Sequence, residues 1–325
     1  MEFQVKILLL SFVATVIISI ILIPLLRKLK AGQTEREDGP ESHLKKQGTP
    51  TMGGIGMILV IIAIGALMYL EYAKTEIGVA KNLIPLLLIS LGCGFIGFID
   101  DFKKVVLKNT KGISPACKML GLLIIAVGFV FYLIKVQNVE TSIFIPFLKI
   151  NLMVPIWAYI PFCVLVILSV TNAVNLTDGV DGLASSVSAI IITCLTIISI
   201  MLGVKEVTII GSILIGTCLG FLLFNLHPAK VFMGDTGSLF LGGAIAGMAI
   251  ALKMPILILI IAIIPLIETL SVIIQVACYK KTGKRVFKMA PYHHHLELSG
   301  WKEEKIVTVF SLITLILCFA GLISI

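Results

Sequence analysis

The chain has 325 residues, 58% of them hydrophobic and 14% charged, with a mean hydropathy of +1.09 and a formal net charge of +8. A soluble domain carries about a quarter of its residues as charges, so a soluble globular class is excluded and a polytopic membrane protein is expected. A nucleic-acid partner is not needed to explain the positive charge, because its distribution along the chain follows membrane topology.

A membrane-crossing helix takes about 20 apolar residues. Ten such runs are expected, at 4–26, 52–70, 83–100, 119–136, 154–172, 184–203, 207–226, 236–253, 255–278 and 306–324. The fold class is therefore an all-α integral membrane protein, read as one domain over 1–325. The first run ends in Arg27-Lys28-Leu29-Lys30 and lacks a small-residue cleavage site, so it reads as a retained helix and not a signal peptide. The alternate loops 27–51, 101–118, 227–235 and 279–305 hold 19 of the 26 Lys and Arg residues. The positive-inside rule puts those loops in the cytoplasm and both termini outside. Seven cysteines are scattered singly with no CxxC pair, as small apolar residues within helices would be.

Polar residues interrupt these runs at a few places. KKQGTPTMGG, residues 45–54, places Lys45, Lys46, Thr49 and Thr51 beside a double glycine, a composition that suits an anion-facing loop. FIGFIDDF ends the third run with Asp100 and Asp101, followed by Lys103 and Lys104. Neighbouring residues on a helix point about 100° apart, so the two acids are expected to have different roles. NAVNLTDGVDGLAS, between the fifth and sixth runs, contains Asn175, Asp178 and Asp181. The two acids are three apart and share a face on a helix, where paired oxygens suit a hard cation or the polar edge of a ligand. The twelve-residue spacing of a calcium loop is absent. VFMGDTGSLFLGG sets Asp235 between glycines at the start of an apolar helix, a place that favours phosphates and the metal that accompanies them. It has no G-K-[ST] ending and is not a Walker loop. Glu268 lies within the ninth run, about ten residues before its end. MAPYHHHLEL carries His293, His294 and His295 among lysines. Three consecutive histidines cannot all face one ion on a regular helix, so the segment suits phosphate better than zinc. A carboxylate at membrane depth is costly unless it is buried in protein or faces a water-filled cavity. Five of the six acids nevertheless fall at the same expected membrane face, Glu268 excepted.

In order, the segments KKQGTPTMGG, FIDDF, NLTDGVDGL, FMGDTGSLFLGG, ETLSVIIQ and MAPYHHHLEL resemble the phospho-N-acetylmuramoyl-pentapeptide transferases over about residues 27–305. These belong to the wider superfamily of polyprenyl-phosphate sugar-1-phosphate transferases. TPTMGG and APYHHHLE carry the likeness to the muramoyl-pentapeptide branch. Phe102 stands where that family often has Tyr. The resemblance implies ten membrane helices, commonly a homodimer, in the bacterial cytoplasmic membrane with the active site facing the cytoplasm. It implies a Mg2+-dependent reaction of UDP-N-acetylmuramoyl-pentapeptide with undecaprenyl phosphate, giving the lipid-linked pyrophosphoryl sugar (lipid I) and UMP in peptidoglycan synthesis. Carried onto this chain, Asp235 is the leading Mg2+ ligand, with Asp178 and Asp100 in the ligand set. Asp100 deprotonates or positions the lipid phosphate, and Asp101 supports it. Asn175, Asp178 and Asp181 face uridine and sugar, with Phe232 stacking on the base. Lys46, Thr51, Lys104, Lys118, His293, His294 and His295 contact phosphates or sugar, His294 in a catalytic role. Glu268 and Gln275 of ETLSVIIQ join the substrate-binding set. An N-acetylglucosamine-1-phosphate transferase is the nearest rival, and an assay with both UDP sugars separates the two. A secondary transporter would spread its ionisable residues near the bilayer midplane, whereas these acids gather at one face.

Overall fold

A computed structural model of the chain describes residues 2–29, 48–109 and 112–325. His43, Lys45, Lys46 and most of the loop 27–51 lie outside the described residues. Twelve α-helices follow in chain order: α1 (Glu2–Lys28), α2 (Gly54–Thr75), α3 (Ile77–Val105), α4 (Pro115–Lys135), α5 (Ile156–Thr177), α6 (Leu183–Leu202), α7 (Lys205–Asn225), α8 (Gly234–Ala251), α9 (Ile258–Ile261), α10 (Ile263–Thr282), α11 (Tyr292–Glu297) and α12 (Glu303–Ile323). Among the described residues, nine are long and apolar enough to cross a membrane: α1 to α7, α10 and α12.

The remaining expected run, the eighth at 236–253, is α8. Its first turn carries Asp235, Thr236 and Ser238, and every residue from Thr236 to Ile250 is buried. A helix apolar all round belongs inside a bundle, and α8 packs chiefly against α3, α5 and α2. Around it, α1 packs on α7, and α6 on α7 and α12.

Two boundaries differ from the sequence expectation. The third run extends to Val105, so Asp100 and Asp101 sit one turn inside α3 and do not close it. Lys103 and Lys104 occupy its last turn, where cations complement the helix dipole. The ninth run is broken into a 3-10 turn at Pro255–Leu257, α9 and α10. Pro265, in the first turn of α10, has no N–H to donate back to the α9 turn, and the break falls just before it at Ala262.

The connection between α4 and α5, expected as a loop, folds into a hairpin of β1 (Ser142–Ile145) and β2 (Ile150–Met153), antiparallel with Ser142 opposite Met153. The Phe144 N–H donates to the Lys253 carbonyl at 2.8 Å and the Phe147 N–H to that of Ser324 at 2.9 Å. The hairpin thus sits at the C-terminal ends of α8 and α12. Asp235 and Glu303 begin those same helices, so they stand at the opposite end, about 27 Å away at 1.5 Å per residue of α8.

This separation sets a topology test. In a background with the accessible thiols Cys117 and Cys278 changed to serine, Leu148→Cys should react with an impermeant maleimide in intact cells. Lys284→Cys, in the basic segment after α10, should react only after permeabilisation. The reverse labelling would invert the orientation.

Candidate active site

The site starts from a close approach of helices. A Cβ on Gly97 of α3 would overlap the Asp235 carbonyl, and one on Gly54 of α2 would overlap the Gly237 backbone. Glycine at these two positions lets α2 and α3 touch the start of α8. Gly234, at φ +73°, makes the turn into α8, and a Cβ there would lie 2.6 Å from Asp101 Oδ2. A side chain would be both strained and obstructed there.

Asp101 fills the space left by those glycines. Its Oδ2 accepts the Thr236 N–H at 2.8 Å and the Thr236 hydroxyl at 2.6 Å, and its Oδ1 accepts the Asp235 N–H at 3.2 Å. The first N–H groups of a helix have no partner within it, and no side chain next to α8 in sequence caps them. Asp101 does so from α3, placing its negative charge at the positive end of the α8 dipole.

Asp100 faces elsewhere, as the helical angle between the pair requires. Its Oδ1 accepts the Ile113 N–H at 2.7 Å and its Oδ2 lies 2.6 Å from Lys104 Nζ. Asp235 is the hub. Its Oδ2 takes Lys118 Nζ at 2.8 Å and Lys104 Nζ at 3.1 Å, while its Oδ1 accepts Asn175 Nδ2 at 2.7 Å. Asn175 also donates to Ser238 Oγ at 2.8 Å, so α5 is tied to the first turn of α8. One carboxylate oxygen from each of Asp100, Asp101 and Asp235 falls within 4.8 Å of the others. An all-oxygen set of this size could hold a hard cation.

Asp178 follows the end of α5 and borders this cluster. Burial first, then the carboxylates of Asp235, Asp101 and Asp181, push its carboxyl well above the usual carboxylate range, and the Gly234 N–H pulls it back. A carboxyl held protonated both donates and accepts hydrogen bonds. Asp181 is directed into a different group. Its Oδ2 meets His227 Nδ1 at 3.1 Å and accepts the Ala229 N–H at 3.0 Å, and with His227 and Glu303 it forms a second cluster of metal-ligand type. The two acids expected to share one face are therefore separated, because α5 ends at Thr177 and Gly182, at φ +78°, turns the chain into α6.

The remaining residues of interest fall around the rim. Thr51 is buried, close to where a Gly234 side chain would lie. Phe232 is half-buried and pairs its backbone with Pro50 and Gly53 at 2.8 and 2.9 Å, joining the 48–54 segment to the α8 entrance. Gln275 accepts the Val286 and Phe287 N–H groups and donates to the Phe287 carbonyl, so its side chain is spent on the 283–291 turn. Glu268 accepts the His293 N–H at the start of α11. The three histidines point differently: His293 is buried, His294 Nδ1 meets Glu297 at 2.7 Å, and His295 stacks on Tyr292. Gly97 and Glu303 were not singled out from the sequence, Thr236 and Ser238 entered only as polar neighbours of Asp235, and His227 only as a lone histidine read as structural. Gly97, Thr236 and Ser238 lie inside the motifs already singled out, where the repeated glycine–polar alternation was their signal. His227 and Glu303 had no local signal.

A family profile described as glycosyl transferase family 4 matches residues 83–253. A phospho-N-acetylmuramoyl-pentapeptide-transferase of Acetivibrio thermocellus is 49% identical over 315 residues, covering 96% of this chain and 92% of the relative. A protein of the same name from Clostridium botulinum is 49% identical, covering 98% and 95%, and one from Halalkalibacterium halodurans is 48% identical, covering 93% and 91%.

Asp101→Ala should destabilise the fold. It strips the acceptor from three donors at the α8 start, and a buried unpaired donor costs roughly 1–3 kcal/mol. The melting temperature in detergent should fall clearly below that of the parent, and an unchanged value would mean the α8 start is held by other contacts.

Proposed function

This chain belongs to the phospho-N-acetylmuramoyl-pentapeptide transferase family, and on that premise we propose that it transfers phospho-N-acetylmuramoyl-pentapeptide from its UDP derivative to undecaprenyl phosphate. The products are lipid I and UMP, and the reaction takes place at the cytoplasmic face of the bacterial inner membrane. The observation that carries the reading is Asp235, held at a helix start between two lysines and two further carboxylates.

In this reaction a lipid phosphate oxygen forms a bond to the β-phosphorus of the nucleotide sugar. The bond from that phosphorus to the bridging oxygen breaks, and UMP leaves with the electron pair. Phosphoryl transfer of this kind depends on positioning and charge neutralisation. Lys104 and Lys118, already gathered at Asp235, supply fixed positive charge for the pyrophosphate oxygens. Asp100 receives or orients the proton of the lipid phosphate. Ile99 and Phe102 flank the acid pair and expose 38% and 39% of their surface, an apolar border suited to a lipid chain. Asn175 and Asp178 serve the sugar and nucleotide side, with Phe232 beside them. His294 and His295, on α11, would contact the phosphates.

The donor set suits Mg2+, whose ligands are carboxylate oxygens, phosphates and water. Asp235, with Asp100 and Asp101, would hold the ion, and bound Mg2+ would neutralise the pyrophosphate and stabilise the departing UMP. Asp101 has both oxygens taken by donors of the α8 start, whereas Asp235 and Asp100 each have an oxygen held by lysine, which can exchange to phosphate, so those two would be the principal ligands. A homodimer belongs to the same proposal.

Purified protein in detergent should convert UDP-N-acetylmuramoyl-pentapeptide and undecaprenyl phosphate to a lipid-linked product and UMP, with activity lost to chelator and restored by Mg2+. Turnover of UDP-N-acetylglucosamine in its place would assign the other branch of the superfamily. Asp235→Asn should lower kcat by at least about 100-fold, the scale of removing one electrostatic element of a transfer site, while the protein stays monodisperse. Asp100→Asn should impair single-turnover transfer more than UDP-sugar affinity. If that variant instead loses affinity and transfers bound substrate normally, the lipid-side role is wrong.

A further inference from the structure

His293 and Glu268 are both fully buried, an expensive arrangement for two polar side chains unless the fold uses it. Glu268, in α10, receives the His293 backbone N–H on both carboxylate oxygens at 3.2 and 3.3 Å. Its Oε2 lies 3.1 Å from ring Nδ1, off the line of a hydrogen bond, and neither ring nitrogen has a hydrogen-bond partner. The ring is therefore held through its own backbone and the carboxylate, with the His294 ring packed edge-on against it at 4.2 Å between centroids.

The other edge of the ring lies against Gly179. A Cβ on that glycine would overlap His293 Nε2 and stand 2.7 Å from Cε1. Gly179 has no left-handed backbone angle to require glycine, so its missing side chain serves to admit the imidazole. Gly179 immediately follows Asp178, the acid beside Gly234 and Asp235. The neighbouring histidines are occupied differently, His294 with Glu297 and His295 with Tyr292 and the Lys288 N–H.

We propose that His293 is a positioning residue: clamped by Glu268, its buried ring is the surface on which the Asp178–Gly179 turn rests, and it thereby sets where Asp178 meets the nucleotide. This rests on the assignment of Asp178 to the nucleotide side. A packing contact of this kind acts on where the nucleotide sugar is held, so its loss reads in KM and Kd.

The test is a double-mutant cycle on Gly179→Ala and His293→Ala in the full-length protein, read as kcat, KM and the Kd for UDP-N-acetylmuramoyl-pentapeptide. Residues in contact give non-additive effects. Gly179→Ala alone should raise KM and Kd strongly, and adding His293→Ala should recover about tenfold or more of that loss, because removing the ring makes room for the new methyl group. His293→Ala alone should raise KM with kcat within about threefold of the parent, the signature of lost binding and not lost transition-state contact. Glu268→Gln, which keeps one oxygen for the His293 N–H, should follow His293→Ala in sign but be milder. Effects that multiply, or a kcat collapse at unchanged KM in His293→Ala, would overturn the proposal and make the ring a direct substrate contact. If Gly179→Ala does not fold, the KM-against-kcat split of His293→Ala and Glu268→Gln decides the matter. A parent protein that binds the nucleotide sugar without turning it over would refute the function proposed above, while the cycle would still be read through Kd.

Discussion

The N-terminus of α8 has free backbone donors and no cap of its own, and a carboxylate on another helix supplies the acceptors. Everything at the polar end of the bundle depends on that contact. Asp101 can reach only because Gly97 and Gly54 remove the side chains that would hold α3 and α2 away from α8. Once the helices meet, Asp235 is fixed in the first turn, with its carboxylate turned toward Lys104 and Lys118. Structural capping and chemistry are thus divided between adjacent acids. Asp101 is committed to backbone, while Asp100, about 100° around the helix, is committed to Lys104 and the Ile113 N–H.

The charge pattern in the cluster also bears on how a water-soluble nucleotide sugar and a lipid phosphate meet. Three carboxylates brought this close repel one another unless cations intervene. Two ammonium groups already sit among them, and an anionic pyrophosphate would compete with the carboxylates for those lysines. The site is therefore built from partners that can be exchanged, lysine from carboxylate to phosphate and carboxylate from lysine to metal. The deeper half of α8, apolar and buried on every side, gives this exchange a rigid base.

Glu268, His293, Gln275 and Glu303 make a second layer. Gln275 shapes the turn before α11, Glu268 anchors the start of α11, and Glu303 at the start of α12 approaches the Asp181 N–H at 3.5 Å. These contacts link the last third of the chain to the 178–182 turn. Their members are far apart in sequence and mostly buried, as befits groups that hold a site and leave the reaction to others.

Much of this was legible in the sequence. Hydropathy alone identifies a bundle of membrane helices, since twenty-residue apolar runs have no other stable use. The glycine-and-acid segments mark the polar face, and their order marks the family. The local signal failed where proline broke the ninth run, where the 137–153 loop paired into a hairpin, and where α3 continued one turn past its acids. Sequence spacing placed Asp178 and Asp181 on one face, but α5 ends just before them, and the turn that carries both sends each to a different cluster. It read Glu268, Gln275 and His293 as substrate contacts; the packed bundle adds that Gln275 hydrogen-bonds the Val286 and Phe287 backbone and that Glu268 accepts the His293 N–H. The reason is physical: periodicity and composition determine which residues must leave lipid or enter a helix, because those are costs each segment bears by itself. Which carboxylate caps a distant helix, which pairs with lysine and which is buried beneath a glycine depends on distances between elements, and only the packed bundle decides those.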